Sequence, residues 1–152
     1  NGEIVGDLLN KSSKLKPLNS TVSEFSTMVD EFPILFVIAS FIPGVSTFRG
    51  IDDLKNKESD RIGEMKKIIK TLKISFSYSG GIVKILGSDK KDYSNKNIKV
   101  PDLKDHRICM STAILSLVSG AKTHIDNFET VNTSSPSFLK LIKKLGGKFE
   151  KK

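Results

Sequence analysis

Lys57-Glu58-Ser59-Asp60-Arg61 sets two cations, two carboxylates and a hydroxyl side by side. These are the residue types that hold an anion and move protons around it. Apolar residues follow at Ile62, Met65, Ile69 and Leu72, the spacing of one helix face. The charged run therefore opens an amphipathic helix expected over Glu58–Leu72, with Asn56 or Ser59 as its cap. A helix N-terminus presents free N–H groups and the positive end of the dipole. Glu58 and Asp60 suit that position, whereas Lys57 and Arg61 oppose it and need a negative partner. One answer is a local ion pair, because Glu58 and Arg61 stand at i,i+3 on the helix. The other is a bound phosphate or carboxylate.

Asp105-His106-Arg107 opens a second helix, with Asp105 as the expected cap and Ile108-Cys109-Met110 behind it. Cations again crowd a helix start. The chain has only three arginines, Arg49, Arg61 and Arg107, and two of them stand in these two places. Arginine is the side chain that grips carboxylate or phosphate with two parallel bonds. Two arginines at two helix starts read as one anion site made from two elements.

The elements that carry these residues must come from a chain of 152 residues, a length for one domain with its own core. The longest apolar run, Phe32 to Pro43, is too short to span a membrane, and no signal-peptide pattern is present. The first residue is Asn1 rather than Met, so a preceding segment is expected. The lone cysteine, Cys109, permits no internal disulfide and fits a reducing, cytoplasmic compartment. In so apolar a helix it reads as a small buried hydrophobe. The net charge of +8 would suit nucleic acid, an anionic membrane surface or small anions. The excess is dispersed lysine, which reads mostly as a solvated face. A nucleic-acid interface interleaves arginine with aromatics. Here arginine is scarce, Trp is absent and the aromatics lie in apolar runs. A basic anion- or nucleic-acid-binding module without catalysis is therefore the alternative to an enzyme, and neither nucleic acid nor a membrane is the expected partner.

The spacing predicts strands over Glu3–Leu9, Val45–Arg49, Ile74–Tyr78, Ile82–Leu86, Ile98–Val100, Lys122–Asp126 and Lys148–Glu150. Gly80-Gly81 is a two-residue hairpin turn. Helices are expected over Asp30–Ile42, Glu58–Leu72, Asp105–Ser119 and Pro136–Leu145. Asp30 caps the first, and Pro33 stands in its first turn. The first and third are apolar nearly all round and should be the most buried. Gly87 to Asn97 reads as a flexible, lysine-rich surface loop. The pattern runs twice: Gly44 and Thr47 answer Gly120 and Thr123, and Leu72 and Phe76 answer Leu145 and Phe149 at a slightly shorter offset. The repeated unit is strand, buried helix, strand, amphipathic helix, strand, with a hairpin return in the first copy. This predicts an α/β fold of one partial domain. Residues 1–29 are the tail of a preceding unit, 30–95 a first βαβαββ-like unit, and 96–152 a second, incomplete one.

Asp30-Glu31-Phe32-Pro33, Phe48-Arg49-Gly50, Leu54 through Ile62, Asp105 through Met110, and Ser135-Pro136-Ser137-Phe138 occur in this order. Together they closely resemble the C-terminal part of the 5-enolpyruvylshikimate-3-phosphate synthases (3-phosphoshikimate 1-carboxyvinyltransferases), over almost the whole chain. The resemblance implies domains built from βαβαββ units, with buried helices surrounded by small sheets. It implies transfer of the enolpyruvyl group of phosphoenolpyruvate to the 5-hydroxyl of shikimate 3-phosphate, with release of phosphate and no cofactor or metal. Both substrates bind between two domains, so the partners implied are these two anions and an N-terminal domain of the same enzyme.

By motif position Asp30 resembles the aspartate that contacts shikimate 3-phosphate and accepts its 5-hydroxyl proton. Glu58 resembles the acid acting on the methylene carbon of phosphoenolpyruvate, and Lys57 the lysine beside the 5-hydroxyl. Arg61 and Arg107 resemble the phosphoenolpyruvate-binding arginines, with His106 beside them. The chain departs from the family where many members carry a further lysine before the last helix: here it reads Val131-Asn132-Thr133-Ser134-Ser135. The residues expected to line one solvent-facing half-cleft are Asp30, Lys57, Glu58, Arg61, His106 and Arg107, while His124 on a strand reads as structural.

Overall fold

The computed structural model describes all residues except 1, 3, 4, 8, 10, 90, 91, 151 and 152, and the backbone alone of 25 and 26. The strand expected over Glu3–Leu9 falls largely outside the described residues; Val5 and Leu9, which are described, are exposed and form no strand. In chain order come α1 (Val22–Met28), a 3-10 turn (Val29–Glu31), α2 (Phe32–Ser40), β1 (Gly44–Arg49) and a 3-10 turn (Asp52–Asn56). Then follow α3 (Arg61–Thr71), β2 (Ser75–Ser79), β3 (Ile82–Gly87), β4 (Asn97–Val100) and α4 (His106–Ser119). β5 (Lys122–Ile125), a 3-10 turn (Phe128–Thr133) and α5 (Phe138–Lys144) complete the order.

The strands form two small sheets. β3 lies between β1 and β2, antiparallel to both, with Phe48 opposite Val83 and Phe76 opposite Ile85. Asn19 bridges to Thr47 in parallel, so the segment before α1 extends this sheet past β1. β4 and β5 pair in parallel, Ile98 opposite Thr123, as strands joined by a crossover helix do. Alternate residues of the strands point inward: Phe48, Phe76, Val83 and Ile85 are buried. Phe36 of α2 meets Phe48 and Phe76 edge to face, with centroids 5.0 and 5.4 Å apart, the arrangement favoured by ring quadrupoles. α2, α3 and α4 touch one another pairwise, and this arrangement gathers their N-termini.

Several expected boundaries move, for local reasons. Asp30 does not cap α2: it lies in the 3-10 turn, the cap position is Glu31, and the Asp30 side chain is turned to other partners. α3 starts at Arg61 rather than Glu58, because Asp60 rather than Asn56 or Ser59 caps it, accepting from the Gly63 N–H at 2.9 Å. α5 is shorter than expected, and of its apolar residues only Ile142 is buried while Leu141 is exposed. No strand forms over Lys148–Glu150, where no described neighbour completes a ladder.

Burial of α2 and α4 is one-sided. Phe36, Val37, Ile108 and Leu115 are buried, yet Ile38 and Val118 stay exposed, and α3 buries Ile62, Met65, Ile68 and Ile69 as fully. Sheet and helix cover each of these helices on one side only among the described residues. The described part of the lysine-rich loop is anchored at Tyr93, which is buried against Phe41 and whose N–H donates to the Ser119 carbonyl. Cys109 is buried, and burial pushes its thiol up to about 11, which leaves it an inert hydrophobe.

Candidate active site

Arg61 is the first residue of α3 and is 1% exposed, an unusual place for a guanidinium. Its charge is held by three carboxylates from three parts of the chain. Nε donates to Asp105 Oδ2 at 3.0 Å and Nη1 to Asp30 Oδ1 at 2.8 Å, while Nη2 donates to Glu58 Oε2. The local i,i+3 pair with Glu58 forms, and two distant acids join it. Burial pulls the Arg61 pKa down, but hydrogen bonds to Asp105 and Asp30 outweigh it and hold the group above its ordinary value. The expectation that Arg61 points into solvent is therefore wrong. Three acids neutralise it inside the fold, which is how a buried charge is kept.

Arg107, in the first turn of α4, is 28% exposed. Its Nη2 lies 3.4 Å from Asp30 Oδ2 and its Nη1 3.4 Å from Glu31 Oε1, while Nε is buried without a hydrogen-bond partner. Asp30 thus bridges the two arginines, one oxygen to each. The hydrogen bond from Arg61 holds its carboxyl below the usual range, against the opposing effect of burial, and the charges of Arg107, Arg61 and Lys57 add to the lowering.

Asp105 caps α4 as the sequence predicts: Oδ1 accepts from the N–H groups of Arg107 at 2.9 Å and Ile108 at 3.3 Å. Its second oxygen takes Arg61 Nε and also Ser59 Oγ at 2.9 Å. Nothing in the local sequence announces this second task, nor the contact of Glu31 with Arg107. A cap signature explains Asp105 fully by itself, and Glu31 lies far from Arg107 along the chain.

The outer side of this network is open. The side chains of Asp30 and Glu58 are 45% and 46% exposed. Lys57 is exposed and close enough for its charge to act on Asp30, and His106, which begins α4, is half-buried. A pocket of about 170 Å³ adjoins the network, lined by the charged Asp30, Glu31 and Arg107 and by the apolar Ile34, Met110 and Phe138. Thr133 stands apart from these groups in its bonding: its hydroxyl donates to the Thr130 carbonyl within the 3-10 turn. The arrangement brings three exposed carboxylates, those of Asp30, Glu31 and Glu58, two arginines and an exposed lysine to the N-termini of three touching helices. Such a surface can hold an anion on fixed cations and exchange protons beside it.

A family model described as EPSP synthase (3-phosphoshikimate 1-carboxyvinyltransferase) matches residues 6–142. The 3-phosphoshikimate 1-carboxyvinyltransferase of Zymomonas mobilis is 39% identical over 151 residues, covering 98% of this chain and 33% of that protein. The relative of the same name from Petrotoga mobilis is 37% identical over 145 residues, covering 95% of this chain and 33% of its own length. A solved EPSP synthase structure from Acinetobacter baumannii superposes with a TM-score of 0.76 at 31% identity, over 86% of this chain and 30% of that one. The chain thus spans about a third of the length of the relatives it matches. The match extends through the turn that carries Asp30, the segment before α3 that carries Glu58 and the helix starts that carry Arg61 and Arg107, and the chain belongs to the EPSP synthase family.

Proposed function

We propose that this chain is the part of an enolpyruvyl transferase that moves the enolpyruvyl group of phosphoenolpyruvate to the 5-hydroxyl of shikimate 3-phosphate, releasing phosphate. The observation that carries the reading is Asp30 bridging Arg61 and Arg107 at three helix N-termini, in a chain of this family. Adding an alcohol across the double bond needs a base at the hydroxyl and an acid at the methylene carbon. Asp30 is the base and Glu58 the acid, both exposed and both tied to the same arginine. The tetrahedral intermediate then loses phosphate from its central carbon and a proton from the new methyl group, which Glu58 takes back as the double bond re-forms, and fixed cations stabilise the charge of the leaving phosphate. Arg61 and Arg107 supply that charge, with Lys57 beside the hydroxyl and His106 beside Arg107.

The ion pairs set a condition on this chemistry. Tied to Arg61, Asp30 is a weak base, so substrate must take over part of the arginine's bonding before Asp30 can accept a proton. The acids Asp30, Glu31, Glu58 and Asp105 outnumber the two arginines they contact. An incoming anion must compete with them, which also weighs against a nucleic-acid-binding module. The remaining grip on shikimate 3-phosphate comes from an N-terminal domain outside these 152 residues, and the two units read over 30–95 and 96–152 form part of the opposing domain. The parallel bridge at Asn19 adds the segment before α1 to the first unit. No helix among the described residues is long and apolar enough to cross a membrane, and the single buried cysteine suits work in the cytoplasm.

The test is phosphate release from phosphoenolpyruvate with shikimate 3-phosphate, using this chain joined to a family N-terminal domain. Turnover should appear in the joined protein and vanish in Asp30→Ala and Glu58→Ala. Turnover that survives both substitutions would remove these residues from the chemistry.

A further inference from the structure

Asp105 is the one carboxylate of the network with no exposed surface: it is 0% exposed and touches nothing that could be substrate from outside. A helix cap needs one oxygen, and Asp105 spends only Oδ1 on that task. Oδ2 takes Arg61 Nε and Ser59 Oγ. An ionised carboxylate offers about four acceptor positions, and all are used. One buried group therefore holds Arg61 by its side chain and Arg107 by its backbone N–H. We propose that Asp105 is a positioning residue, which fixes the plane of the Arg61 guanidinium and its placement relative to Arg107 so that both present to one anion.

The geometry gives the reason. With Nε held from beneath, the guanidinium cannot turn about its stem, and its remaining N–H groups on Nη1 and Nη2 face the side where Asp30 and Glu58 are open to solvent. Ser59 stiffens the arrangement by fixing the second oxygen of Asp105 from the segment that leads into α3. Without Oδ2, Arg61 would keep only the two half-exposed acids, which an incoming anion must partly displace. The consequence runs against simple charge arithmetic. Removing a negative group near an anion site should strengthen anion binding, whereas removing the group that aims the arginine should weaken it.

The inference rests on the anion-site reading for its functional arm and on the hydrogen bonds alone for its structural arm. The test uses the 152-residue chain as wild type and as Asp105→Ser, since serine is an equally good cap but is too short to reach Arg61. In the wild type the Arg61 Nε–H should give a distinct, slowly exchanging ¹⁵N NMR signal. In Asp105→Ser the Arg107 and Ile108 amides should stay protected, while the Arg61 Nε–H signal shifts and loses protection. A purely capping role would leave that signal where it was. Titration with inorganic phosphate and with phosphoenolpyruvate at low salt should show binding weakened about tenfold or more, the loss expected for a charge-assisted hydrogen bond. An unchanged Arg61 signal, or anion affinity that stays equal or rises, overturns the proposal. If neither the wild-type chain nor the wild-type chain joined to a family N-terminal domain binds either anion, the anion-site reading fails while the Arg61 signal still decides the role of Asp105. Should Asp105→Ser not fold, Ser59→Ala keeps cap and charge and should move the Arg61 signal less, in the same direction; no movement overturns the proposal equally.

Discussion

Arg61 occupies two places at once that disfavour a cation: the first turn of a helix and the interior. It is stable there because Asp105, Asp30 and Glu58 converge on different nitrogens. Asp105 depends on it in return, being wholly buried. Arg61→Ala should therefore destabilise the chain by about 3–5 kcal/mol in chemical denaturation, the cost of leaving a buried charge unpaired. A loss below about 1 kcal/mol, the range of surface pairs, would mean that water reaches Asp105 in the folded chain. Asp30 gives a pH signature. Its carboxyl titrates lower in the folded chain than in the unfolded one, through the hydrogen bond from Arg61 above all. The stabilisation is thus complete above about pH 4, the unfolded value, and is lost as pH falls through the lower folded value. Asp30→Asn should be less stable than wild type at neutral pH in urea unfolding, with the gap closing below about pH 4. A gap constant with pH would show that the ion pair contributes nothing.

At the scale of elements, the site depends on how closely β3 ends against α2. A side chain at Gly87 would place its Cβ 2.1 Å from the Ala39 carbonyl oxygen and 2.4 Å from that of Ile42, both backbone atoms that cannot swing aside. The Ser88 N–H, next in the chain, donates to the Ser40 carbonyl. This contact fixes the C-terminal end of α2 against β3, and α2 leads back to the turn that carries Asp30. Gly87→Ala should cost about 1–3 kcal/mol, the usual penalty of overpacking, and lower the thermal midpoint. It should also shift the NMR signals of Asp30 and Arg61 at the far end of α2. If those signals stay while stability falls, the position of α2 is set elsewhere.

For the whole molecule, the decisive fact is that the chain spans about a third of its relatives. The side on which Asp30 and Glu58 open to solvent carries half-exposed acids, and Arg61 and Arg107 are already paired there. Holding two substrates in near-attack geometry supplies about 7–11 kcal/mol in a complete site, and an open surface also leaves charges screened by water. This chain alone should give no phosphate release from phosphoenolpyruvate with shikimate 3-phosphate, and at most weak, salt-sensitive binding of phosphate. Clear turnover by the 152 residues alone would show that the site is complete within them.

The sequence by itself determined the pieces. Asp105 as a cap, the hairpin at Gly80-Gly81, the alternation of Phe76 and Tyr78, and the face of Ile62, Met65 and Ile69 follow from rules that act over one helical turn or one strand pair. The family motifs around Asp30, Lys57 to Arg61 and Asp105 to Arg107 were legible for the same reason, since each is contiguous. Only the tertiary structure decided how the charges are shared. Asp30 meets Arg61 from 31 positions away and Arg107 from 77, and Ser59 meets Asp105 from 46. No periodicity encodes such distances. They arise because α2, α3 and α4 bury their apolar faces against one another and so bring three helix starts into one place. There, desolvation obliges the buried guanidinium of Arg61 to take every acid within reach.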